Sequence, residues 1–111
     1  MVILFDLPDL AALDYPDDRD ALKKALDYLK VSLEDISVTR QQPRMWQRQM
    51  VQFYLFKNGY SQVEIGNIFR QDRTTMYHSI RTVENYCEIY PFRRKEVEEM
   101  FVKTDSKLLN N

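Results

Sequence analysis

Cysteine, histidine and tryptophan each occur once, and glycine twice, in this chain of 111 residues. A single Cys87 and a single His78 cannot build a structural zinc site, and one cysteine forms no intrachain disulfide. With glycine confined to positions 59 and 66, there is no G-x-x-x-x-G-K loop to cradle a nucleotide phosphate. No carboxylate pair, metal-ligand cluster or nucleophile–base spacing stands out, so the chain reads as a binding protein without a cofactor and not as an enzyme. No apolar run is long enough to span a bilayer. The start, MVILFDLPDLAALD, is briefly apolar, but it carries acids and no basic flank, unlike a secretory signal. The cytoplasm is the expected location.

What is present points to a folded helical domain with a basic segment. Hydrophobic residues make up 44% of the chain, enough for one modest core. The net charge of −1 conceals an asymmetry: residues 1–38 hold four Lys/Arg against nine Asp/Glu, net −5, whereas residues 39–94 hold nine against four, net +5. A basic segment of this kind is an expected footprint of nucleic-acid contact, and the alternative is that the two halves neutralise one another.

Hydrophobic periodicity and end signals predict helices throughout, with no strand-like alternation and no internal repeat, hence an all-α fold. Residues 1–18 form an acidic, partly apolar leader. Ala21, Leu22, Ala25, Leu26 and Leu29 recur at helical spacing over residues 19–29. Ser32 and Asp35 resemble a capping box for a short helix ending near Ile36. Pro43 suits the first turn of a third helix, carrying Met45, Trp46, Met50, Phe53 and Tyr54, which Gly59 stops. Ser61 and Glu64 form a capping box for a fourth helix that buries Ile65, Ile68 and Phe69. A turn at Arg70-Gln71-Asp72 leads to a fifth helix over residues 73–89, with Met76, Ile80, Val83, Cys87 and Tyr90 as one apolar stripe. A last helix over residues 92–102 presents Val97, Met100 and Phe101, and residues 105–111 are expected to fray. Domain limits fall at residues 1–18, 19–91 and 92–111.

Functional information concentrates in SQVEIGNIFRQDRTTMYHSIRTVENY, residues 61–86, where two helices meet at a polar turn. The second helix opens on side chains suited to base edges. Asp72 can accept from cytosine N4 or adenine N6, Arg73 can donate twice to guanine O6 and N7, and Thr74 offers a methyl to thymine. Thr75, His78, Arg81 and Thr82 follow where phosphates pass, and Asp72 is equally suited to cap the helix. This is how a helix-turn-helix presents its recognition helix to duplex DNA. Cys87, Trp46 and the tyrosines are expected in the core, since their spacing is helical.

Glu64-Ile65-Gly66, then Phe69, then Asp72-x-Thr74-Thr75 and His78, resemble the signature of the C-terminal DNA-binding domain of the bacterial replication initiator DnaA, a Trp-repressor-like helix-turn-helix. That family typically reads S-L-P-E-I-G, a phenylalanine, then G-G-R-D-H-T-T-V-x-H. The likeness covers residues 20–86. It implies base contacts from Asp72, Arg73 and Thr74, and a minor-groove contact from Arg48, which sits in an R-Q-M stretch where A·T-rich DNA attracts guanidinium. It implies backbone contacts from Arg40 and Arg44 and from His78. Arg73 replaces the family's histidine, and the turn is one residue shorter. The family's ATPase module is absent from this chain. The expectation is a stand-alone, monomeric, sequence-specific DNA-binding protein of replication, transcription control or a mobile element such as a phage. The alternative is a protein-interaction adaptor that docks replication or regulatory proteins through its acidic N-terminal part.

Overall fold

The computed structural model describes residues 20–37 and 40–104. The expected leader and the fraying tail lie outside the described residues. Six helices follow in order: α1 (Asp20–Leu29), α2 (Leu33–Ser37), α3 (Arg44–Lys57), α4 (Gln62–Phe69), α5 (Arg73–Ile89) and α6 (Pro91–Lys103). There is no strand among the described residues, so the all-α expectation holds.

Local chemistry sets the helix ends. At α2, Ser32 and Asp35 bond reciprocally, the Ser32 N–H to Asp35 Oδ2 at 2.9 Å and the Asp35 N–H to Ser32 Oγ at 3.1 Å. At α4, Ser61 and Glu64 do the same at 3.0 and 3.1 Å, completing the expected capping box. Gly59, at φ 101°, ends α3. Its N–H bonds to the Phe56 carbonyl and the Tyr60 N–H to the Leu55 carbonyl, the paired bonds of a left-handed helix stop. A chain so poor in glycine makes two further stops without it: Lys30 and Arg70 adopt φ of 58° and 57° after α1 and α4.

The most buried helix is α3, which packs against α1, α2, α4 and α5. Its Val51, Phe53, Tyr54 and Leu55 are all fully enclosed, so it has little of the one-sided character of a surface helix. α5 lies against α3, α4 and α6, and contributes Met76, Ile80, Val83 and Cys87. α6 closes the core with Val97, Met100 and Phe101. Burial pushes the Cys87 thiol up to about 12, so it stays protonated as a small core group.

One member of the expected α5 stripe is displaced. Tyr90 is 45% exposed. The chain leaves the helix at this residue, with φ −117° and ψ 105°, which turns the ring off the stripe. Tyr90 joins instead a ladder of rings running from Trp46 through Tyr86 to Phe92, with neighbouring centroids 5.7–5.9 Å apart. The Arg93 guanidinium lies 4.6 Å from the Trp46 ring and fixes the start of α6 over α3. Trp46, Tyr54 and Tyr60 are buried as expected, whereas Tyr77, Tyr86 and Tyr90 reach the surface.

Candidate nucleic-acid interface

The junction of α4 and α5 is set by one close backbone approach. The Gly66 carbonyl accepts from the Arg70 N–H and, at 2.8 Å, from the Gln71 N–H. A Cβ at position 66 would press directly on the Gln71 carbonyl oxygen, so glycine is what lets the turn fold back on α4. The turn is anchored from below as well. Gln52 on α3, fully buried, donates from Nε2 to Gln71 Oε1 at 2.9 Å. Arg70 and Gln71 are therefore held to α4, and Gln71 to α3 as well.

Asp72 begins α5 as its N-cap, its Oδ1 accepting the Thr75 N–H at 2.7 Å. That backbone bond, then the Thr75 hydroxyl and the nearby His78, hold the exposed Asp72 carboxyl below its ordinary value of 3.8. A depressed carboxyl contributes stability that is fully present above its unfolded value and is lost as pH falls through the folded one. In a pH titration followed by amide NMR, the Thr75 N–H shift should follow the Asp72 protonation step below pH 3.8, and Asp72→Asn, which still caps, should remove that step.

Beyond the cap, α5 divides into two faces. Met76, Ser79, Ile80, Val83 and Cys87 are buried. Arg73, Thr74, Tyr77, His78 and Arg81 are exposed on one arc of the opposite side. Arg73 and Arg81 are separated by about 12 Å along the axis, close to the width of a DNA major groove. Thr75 is half-buried. Thr82 is also half-buried, and its hydroxyl donates to the His78 carbonyl at 2.8 Å. Arg81 pairs loosely with Glu84 at 3.4 Å, and the Tyr77 ring meets His78 edge-on at 5.7 Å.

The remaining arginines divide between two places. Arg40 is exposed and lines a groove of about 940 Å³ that also takes in Arg48, Arg70 and Gln71. Arg44 is exposed but not part of that lining, and donates to Gln47 Oε1 at 3.2 Å. Arg48 departs from the expectation of an outward-reaching side chain. Only 9% exposed, it donates from Nη1 to the Ile36 and Ser37 carbonyls at 3.3 and 3.5 Å, and desolvation lowers its pKa. The reason is its register: position 48 lies on the side of α3 that packs against the end of α2.

Three residues of this surface were not singled out by sequence reasoning. Tyr77 was within reach, because it stands four residues after Arg73 and so shares its face. Arg70 and Glu34 were not, since their lining of one groove depends on how α2 and α4 are placed around α3. Among the described residues no group of three or more His, Cys, Asp or Glu is placed to hold a metal, and no helix is long and apolar enough to cross a membrane. Comparison with family models, curated proteins and solved structures returns no match.

Proposed function

We propose that this domain binds double-stranded DNA in a sequence-specific manner, using α4 and α5 as a helix-turn-helix of the kind its sequence resembles in the initiator DnaA. The observation that carries the reading is the exposed arc of α5. It sets Arg73 and Thr74 beside the capped first turn, then His78 and Arg81 further along, on a helix whose other side is buried. Such an arrangement supplies base contacts from the first turn and phosphate contacts behind it. The resemblance directs the reading toward replication or transcription control, on a single asymmetric site bound by one copy.

Arg73→Ala provides the test. Its guanidinium is exposed and outside the core, so the variant should fold like the parent. A bidentate guanine contact carries roughly 1–3 kcal/mol of discrimination. Arg73→Ala should therefore bind a selected site about 5- to 150-fold more weakly while binding to scrambled duplex falls much less. Equal affinity and equal preference in the variant would remove Arg73 from the site and the reading with it.

A further inference from the structure

The groove between α2, Arg40, α3 and the α4–α5 turn has a chemistry of its own. Three guanidiniums, Arg40, Arg48 and Arg70, line it against one carboxylate, Glu34. Ser37 and Gln71 add polar groups, and Leu33, Ile68 and Phe69 form its apolar part. Arg48 belongs to the buried wall, whereas Arg40 and Arg70 are exposed. Gln71, at the end of this lining, is the residue before the Asp72 cap, so the groove runs up to the first turn of α5.

Arg70 is the informative member. It holds φ 57° and ψ 44°, a backbone conformation that glycine adopts freely and arginine does not. The conformation alone is not a sign of function, because Lys30 ends α1 at φ 58° in the same way. Arg70 differs in facing a groove with two other arginines, next to the proposed reading helix. A guanidinium fork matches phosphate oxygens in a way a point charge does not.

We propose that this groove is a phosphate subsite for the DNA backbone, in which Arg70 and Arg40 grip a phosphodiester flanking the segment read by α5, and Glu34 limits the grip. The inference rests on the DNA-binding reading and concerns affinity, not base preference.

The experiment measures binding of the full chain to a short fluorescent duplex of scrambled sequence across a salt series. Arg70→Gly should bind roughly three- to tenfold more weakly, with a log–log salt slope shallower by about 1. Arg70→Lys should keep most of the slope, and Glu34→Gln should bind more tightly than the parent. Arg70→Gly should melt no lower than the parent, because glycine suits the turn. Lys30→Gly, the same backbone change away from the groove, should bind like the parent. Wild-type affinity and slope in Arg70→Gly would overturn the subsite while leaving the α5 reading intact. Absence of duplex binding by the parent would overturn both. Displacement of the duplex by free ATP from the parent but not from Arg70→Gly would make the groove a nucleotide site and overturn the backbone assignment.

Discussion

Phe101→Ala should lower the free energy of unfolding by about 3–5 kcal/mol, the usual loss for a fully buried aromatic ring. The side chain is fully buried near the end of α6. Its ring meets Tyr54 edge-on at 5.0 Å and Phe53 at 6.2 Å, both on α3. Removing it leaves a cavity bounded by large rings that cannot close over it. A loss of this size is a large share of the roughly 5–15 kcal/mol by which a domain is stable. Phe101→Leu, which refills most of the volume, should cost less than about 2 kcal/mol. Urea unfolding followed by the fluorescence of Trp46, the sole tryptophan, reads both variants. A loss below about 1 kcal/mol for the alanine variant would mean that α6 is an appendage and not part of the core.

Gly66→Ala is the second large effect, and its sign separates two ways of reasoning. Helix propensity alone predicts a gain of about 1 kcal/mol, since position 66 is inside α4 and alanine is the better helix former. The geometry predicts a net loss of about 1–3 kcal/mol, because the new methyl meets the Gln71 carbonyl oxygen, which is backbone and cannot rotate aside. Relief requires the turn to move away from α4, stretching the 2.8 Å bond from the Gln71 N–H to the Gly66 carbonyl and the Gln52–Gln71 bond behind it. The same movement shifts Arg70, Asp72 and Arg73 relative to α4. DNA affinity should fall by more than in Arg73→Ala, and on scrambled as well as selected sequence. A variant more stable than the parent would show that the approach of residues 66 and 71 is looser than described.

The elements that sequence reasoning read well are those with a local cause. Ser32 with Asp35 and Ser61 with Glu64 are three residues apart, and both pairs bond as that spacing predicts. Gly59 stops α3 because it alone near that point takes φ 101° at no steric cost. Helix limits accordingly differ by only a residue or so from expectation: α6 runs from Pro91 to Lys103 and not from 92 to 102.

Features that depend on packing between helices were less legible. Arg48 carries no mark distinguishing it from Arg44 four residues earlier, yet one is buried against α2 and the other stands in solvent. Tyr90 fits the period of α5, but the helix ends there, and period says nothing about where a side chain goes once the backbone turns. The meeting of Glu34, Arg40 and Arg70 in one groove joins residues up to 36 positions apart, beyond the reach of any local pattern. Arg70 itself occupies a backbone conformation that composition gives no reason to assign to arginine.

The most direct measurement of the central claim is selection of duplexes by the purified chain from a random pool at low and at moderate salt, with sequencing of what is retained. Sequence-specific binding predicts enrichment of one asymmetric motif, with affinity falling steeply as salt rises, by about 0.9 in the log–log slope for each phosphate neutralised. A pool that emerges unenriched, with no duplex retained even at low salt, would contradict it.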